Sequence, residues 1–258
     1  MSSWSFRDTA LDDIGIVTMV SDSLRMPERR GENVLIPFHD GRVFVEKFFE
    51  QRSLTLGLEI NEASLQDLES KLDTIKALLG KRSLGTLAQT LEDASVRTLP
   101  VEYTGDLNLT RISPLYVRLV LEFIAPSPFF VGEAAVSEVQ EISSSPISFT
   151  LTNPGTADVR DPKIILTGPL DHVTITNTTN GVSLSYNAVI DAPRIVTIEK
   201  NGTDYVATDD LGLIVIGNVT HSGDSALFVL DTGDNELEVV DGAATTGSVA
   251  FEFYPLYL

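Results

Sequence analysis

The chain has 258 residues and a mass of 28.0 kDa, with 37 acidic against 18 basic side chains, a formal charge of −19 and no cysteine. The length fits two domains, each able to bury a core without covalent staples, and the missing cysteine excludes a disulfide framework or a thiolate metal site. The charge opposes bulk binding to a phosphate backbone, while the opening Met1–Arg7 has no leader pattern and no apolar run nears the roughly 20 residues of a membrane span.

The expectation is a soluble protein made in the cytoplasm, with no membrane partner and no specific nucleic-acid partner. The charge is unevenly held. Residues 1–130 carry 14 Lys and Arg against 19 Asp and Glu, a net of −5, and residues 131–258 carry 4 against 18, a net of −14.

In chain order, the turn signal His39-Asp40-Gly41 introduces Arg42–Phe49, which reads as a strand. Glu50 and Gln51 separate it from its expected partner, Arg52–Ile60, where Leu54, Leu56, Leu58 and Ile60 alternate with Ser53, Thr55, Gly57 and Glu59. The period then changes: Leu65, Leu68, Leu72, Ile75 and Leu79 form one stripe of an amphipathic helix. Ser64 is its N-cap, Asp67 lies in the first turn and Gly80 is the C′ residue. Strands resume at Arg97–Tyr103 and Leu115–Phe123, and Ala125-Pro126-Ser127-Pro128-Phe129-Phe130 stops the ladder with two aromatics to anchor the exit.

Residues 1–132 therefore read as an α+β domain, an antiparallel sheet or split barrel with one helix. Residues 133–146, small, polar and free of positive charge, read as a linker or arm. In residues 147–258 short strands follow one another without helical periodicity: Ile147–Leu151, Lys163–Thr167, Val173–Thr176, Val182–Tyr186, Ile195–Glu199, Tyr205–Thr208, Leu211–Ile216, Ala226–Leu230, Glu236–Val240 and Ser248–Phe253. That is a β-sandwich pattern, and the whole chain is mainly β with one helix.

Motifs with chemical associations reduce to turns. Phe228-Val229-Leu230-Asp231-Thr232-Gly233 has the outline of an aspartic-peptidase signature, but that chemistry needs two carboxylates sharing a proton, and there is no second such triplet. His221-Ser222-Gly223-Asp224-Ser225 gathers hydrolase residue types in one turn, where they cannot converge as a triad does. His39, His172 and His221 lack the spacing of a metal site, and no acidic stretch has the calcium-loop pattern. Asn108, Asn177, Asn201 and Asn218 match the glycosylation sequon within ordinary Thr-rich β-sequence. No catalytic, cofactor-binding or metal-binding residue is expected, and the chain does not read as an enzyme.

The order of elements says more than any motif. Ile36-Pro37-Phe38-His39-Asp40-Gly41, the alternating Arg52-Ser53-Leu54-Thr55-Leu56 strand, the Leu-rich helix and the Phe129-Phe130 exit come first. Asn153-Pro154-Gly155-Thr156-Ala157-Asp158-Val159-Arg160-Asp161-Pro162, then Asn177-Thr178-Thr179-Asn180-Gly181, Leu230-Asp231-Thr232-Gly233-Asp234-Asn235 and the closing Val249–Leu258 follow. In this order they resemble the distal tail protein family of bacteriophages with long, non-contractile tails.

The resemblance implies a galectin-like fold for the second domain and a structural role. It implies a hexameric ring at the virion tail tip, assembled in the host bacterial cytoplasm. That ring would join the tail tube protein to the tail-associated or fibre hub of the adsorption apparatus, with DNA passing through its channel. Larger members carry inserted carbohydrate-binding modules, for which 258 residues leave no room. The alternative is a carbohydrate-binding sandwich contributing to host attachment. Its aromatics are Phe149, Tyr186, Tyr205, Phe228, Phe251, Phe253, Tyr254 and Tyr257, and most fall in strands where a core role is expected.

Overall fold

The computed structural model describes residues 3–19, 26–35, 40, 42–45, 47–105, 107–202, 204–222, 227–242 and 246–258. The chain divides into two compact units, Met1–Glu133 with Leu258, and Ala134–Tyr257.

The first unit is built on one antiparallel sheet. Its strands run Thr9–Ala10, Ser3–Phe6, Gly85–Thr90, Val96–Tyr103, Tyr116–Ala125, Arg52–Asn61, Ile16–Met19. The sheet curls where Val96–Tyr103 passes from one neighbour to another, with Phe130–Gly132 also pairing to it at Arg97 and Thr98. Val96–Val101 pairs with Gly85–Thr90, while Glu102 and Tyr103 pass on to Ile124 and Phe123. Its concave core holds the alternating residues Leu54, Leu56, Leu58 and Ile60, facing Val117, Leu119, Leu121 and Phe123 across ten paired positions. Phe123 meets Phe6 at 5.1 Å and Tyr103 at 5.9 Å between ring centroids, joining three strands by aromatic contact. Gly85 fits there because a Cβ would lie 2.4 Å from the Phe6 ring.

The helix spans Leu65–Leu79 and buries Leu68, Leu72 and Ile75, each worth roughly 2 kcal/mol of removed apolar surface. Ser64 Oγ accepts the Asp67 N–H at 3.2 Å. Gly80 ends the helix in the right-handed region (φ −69°), donating its N–H to the Lys76 carbonyl. A Cβ would lie 2.9 Å from that oxygen, so closeness rather than left-handed freedom favours glycine here.

Arg42–Phe49 is not the partner of Arg52–Asn61. Both edges of the latter are taken, by Ile16–Met19 and Tyr116–Ala125. Instead Arg42–Val43 pairs with Val34–Leu35 and Phe48–Phe49 with Arg29–Arg30, making a separate arm. The expected turn around His39 and Gly41 lies outside the described residues. The sequence pattern also passed over Ser3–Phe6, Gly85–Thr90 and Asn108–Ser113, the last pairing with Tyr116–Ala125.

The second unit is a sandwich of two five-stranded antiparallel sheets. One is ordered Val136–Glu141, Ser248–Phe253, Lys163–Thr167, Ile195–Asn201, Asp204–Asp209. The other is ordered Ile147–Asn153, Gly233–Val240, Leu170–Asn177, Val182–Ile190, Val219–His221. One continuous buried cluster, from Ile142 to Phe253, fills the space between them, with Phe251 meeting Phe228 and Phe149 at 5.9 and 6.3 Å.

Two expectations fail in this unit. Within 133–146, read as a linker, Val136–Glu141 forms an edge strand in register with Ser248–Phe253. Its Ser137, Glu138 and Val139 are exposed, so composition alone makes it look like a connection. Leu211–Ile216 is not a strand: Asp209 Oδ1 accepts the N–H groups of Leu211 and Leu213, and Gly212 turns at φ +78°. A short 3-10 turn, Ile216–Asn218, follows.

Candidate functional site

The residue types that suggested chemistry sit in a structural lock. Asp231 opens a turn that Gly233 completes at φ +84°. Asn235, wholly buried, accepts from the Asp231 N–H and from Asn177 Nδ2, both at 2.8 Å, and donates to the carbonyls of Asp231 (2.9 Å) and Gly233 (3.0 Å). Asn177 Nδ2 also reaches the Val229 carbonyl at 3.0 Å, and Asn153 Nδ2 reaches those of Ala157 and Asp231. The Asp231 carboxylate accepts from Asn180 Nδ2 at 3.2 Å. The asparagines near the peptidase-like triplet are therefore the frame of a three-loop junction. Sequence reasoning missed them; the signal was their placement beside Pro154-Gly155, Asn180-Gly181 and Asp231-Thr232-Gly233.

The other singled-out residues do not converge. His172 contacts its neighbour Asp171, while His221 ends the Val219–His221 strand with Ser222 Oγ accepting the Ser183 N–H at 2.8 Å. Gly223, Asp224, Ser225 and His39 lie outside the described residues. Among the described residues no group of three or more His, Asp or Glu is placed to hold a metal ion. Asn177 is buried, which removes it as a glycosylation acceptor.

What stands out instead is surface suited to assembly. The arm of the first unit exposes Met26, Val43, Phe44, Val45 and Phe48, with Phe44 76% exposed. Apolar side chains so concentrated on one short element mark an interaction surface. The arm is tied at its base: the Arg29 guanidinium lies 5.1 Å from the Phe49 ring, and Phe49 meets Phe129 edge-on at 5.7 Å. Next to it, buried Arg52 lies over Phe130 at 5.0 Å, and burial lowers its pKa. The exit aromatics Phe129 and Phe130 thus serve as the anchors of arm and strand. Asn108–Ser113, paired to Tyr116–Ala125 and exposed at all six residues, adds an edge carrying Leu109 and Ile112.

The outward face of the curled sheet is polar and internally paired. Arg118 bonds Glu59 Oε1 through Nε (2.9 Å) and Nη2 (2.6 Å), and Tyr116 donates to Glu59 Oε2 at 2.5 Å. The hydrogen bond from Tyr116, then that from Arg118, holds the Glu59 carboxyl below its ordinary value.

A curled sheet with one helix and an arm, joined to a two-sheet sandwich, is the fold class of the phage distal-tail (Dit) proteins. One protein that carries it is the Dit protein of phage SPP1, to whose crystal structure this chain is similar with a TM-score of 0.69, covering 98% of this chain and 99% of that one at 14% identity. SPP1 Dit is described as a paradigm of the hub adsorption apparatus in phages infecting Gram-positive bacteria. Chains of the phage p2 baseplate in its activated conformation, with strontium and with calcium, align over 98% of both chains. Their TM-scores are only 0.43 and 0.42, at 8% and 9% identity. No protein-family model and no curated protein matches the sequence.

Proposed function

We propose that this chain is a structural component of a phage virion, a distal tail protein forming a hub ring at the tail tip. The observation that carries the reading is the overlay with SPP1 Dit through both units and nearly the full length of each chain. In this reading residues 1–132 build the ring, six copies closing through heterologous contacts in which one patch meets a different patch on the neighbour. The exposed apolar arm and the Asn108–Ser113 edge are surfaces of the kind such contacts use. The second unit forms a galectin-like sandwich at the periphery, where the fourteen excess negative charges of residues 131–258 repel other copies. The ring joins the tail tube protein to the tail-associated or fibre hub, is assembled in the host cytoplasm, and performs no catalysis. The polar face bearing Glu59, Arg118 and Glu122 suits a channel through which DNA passes without adhering.

Native mass spectrometry and negative-stain imaging of the purified chain test this reading. The expected result is a hexamer, or a trimer that closes with tail partners, imaged as a six-fold ring with peripheral lobes. A chain that stays monomeric at high concentration, with no ring in tail-tip complexes, overturns it.

A further inference from the structure

One end of the sandwich sheet that contains Ser248–Phe253 carries a cleft of about 490 Å³, within the range of small-ligand sites. Three features there point to a ligand, independently of the hub role. The first is Tyr254. Phe228, Phe251, Phe253 and Tyr186 are buried in this unit, but Tyr254, lining the cleft, is 52% exposed. A half-exposed ring beside a cleft offers apolar surface next to a polar hydroxyl, a combination suited to stacking.

The second is a cross-strand pair. Lys163 Nζ lies 2.9 Å from Glu252 Oε2, their side chains 38% and 39% exposed, and Glu252 stands two residues before Tyr254. The pair neutralises itself and leaves further ammonium N–H donors and carboxylate lone pairs toward the cleft. Donor and acceptor side by side match adjacent hydroxyl groups without demanding charge on the ligand.

The third is a rigid wall. Asp161, at φ +60°, accepts the Leu227 N–H at 2.7 Å and the Tyr205 hydroxyl at 3.0 Å, and Lys200 lies 3.4 Å away. Pro162 follows with its fixed backbone. Of the four cations in residues 131–258, Arg160, Lys163 and Lys200 gather at this corner. The corner is close to neutral on an otherwise acidic domain, which disfavours an anionic ligand elsewhere and admits a neutral one here.

We propose that this cleft binds a neutral hexopyranose, its apolar face stacked on Tyr254 and its hydroxyls bonded by Lys163 and Glu252. Saturation-transfer NMR on the full chain with millimolar glucose, galactose, N-acetylglucosamine and N-acetylgalactosamine tests it. At least one sugar is expected to receive saturation; Tyr254→Ala should weaken its binding about tenfold, while Tyr254→Phe retains it. Glu252→Gln, which keeps the side-chain shape, should weaken binding with an unchanged melting profile. The proposal fails if no sugar is saturated, if Tyr254→Ala changes nothing, or if glucose 1-phosphate binds more tightly than glucose.

Discussion

Replacing Asn235 with alanine tests whether the Asp231 turn is architecture. Asn235 makes four hydrogen bonds between 2.8 and 3.0 Å from a fully buried position. Truncation leaves Asn177 Nδ2 its bond to Val229 and the Asp231 carbonyl its bond from Asn153. The exposed Gly233 carbonyl can be hydrated. The Asp231 N–H is therefore the group left unpaired, at about 1–3 kcal/mol, with the loss of the remaining bonds and a small cavity bringing the total to about 3 kcal/mol. Spread over a unit of this size that lowers the melting temperature by roughly 10 °C. Trp4, the one tryptophan, is buried in the first unit, so its fluorescence follows that unit. Tyrosine near-UV dichroism, weighted to the sandwich, should move to lower temperature while Asp231→Asn, which keeps an acceptor for Asn180, stays within about 1 kcal/mol of the parent. A loss below about 1 kcal/mol for Asn235→Ala, or a larger loss for Asp231→Asn, would refute the lock.

Ser64→Ala removes the helix N-cap and should cost the first unit about 1 kcal/mol, read as an earlier Trp4 fluorescence transition in urea. The Glu59 carboxyl is held low by Tyr116 and Arg118, so its contribution is complete above the ordinary glutamate range. It is lost as pH falls through the depressed folded value; acid titration of Glu59→Gln should lack that step. Phe44→Ser and Phe48→Ser together should shift the oligomer toward smaller species in sedimentation without lowering the melting temperature, since both side chains are already exposed. Raising ionic strength shortens the screening length from about 10 Å at 0.1 M to about 3 Å at 1 M. Sandwich-to-sandwich repulsion predicts tighter association in salt; looser association would mean that charge pairs between copies dominate.

The parts of the fold that a short sequence window could reveal were those where one face meets a core. Leu54 to Ile60 and Leu65 to Leu79 change period at the point where strand gives way to helix; the strand's stripe is buried throughout and the helix's at Leu68, Leu72 and Ile75, while Leu65 at its start is exposed. Arg42–Phe49 has strand-like composition too, but Val43, Phe44 and Val45 face solvent, so their pattern reflects an outside surface rather than a core. Leu211, Leu213 and Ile214 mislead in the same way, exposed on a loop that Asp209 holds. Val136–Glu141 errs oppositely: an edge strand with mostly exposed residues carries no alternation to read. The Asn153, Asn177 and Asn235 junction was hard to read because its joining bonds span more than fifty positions; locally it shows only as asparagines beside turn signals, which mark a turn but not its partner.

The negative charge acquires a more specific meaning once the cations of residues 131–258 are placed. Lys163 is spent on Glu252, Lys200 on Asp161 and Arg194 on Asp209 and Asp210 at 2.9 and 2.5 Å. Almost every positive charge of that half is thus tied to a carboxylate, so the excess acid is surface charge without local compensation. In the first unit Arg118 and Lys71 are likewise paired, to Glu59 and Glu62. Its arm is different: Arg29 lies against an aromatic ring, beside exposed apolar residues. In the proposed hub, repulsion between acidic sandwiches and adhesion between apolar arms would bring copies together through their arms with the sandwiches apart. On that proposal charge sets the orientation of assembly while apolar contact supplies its strength, a division that would follow from where eighteen cations stand among thirty-seven carboxylates.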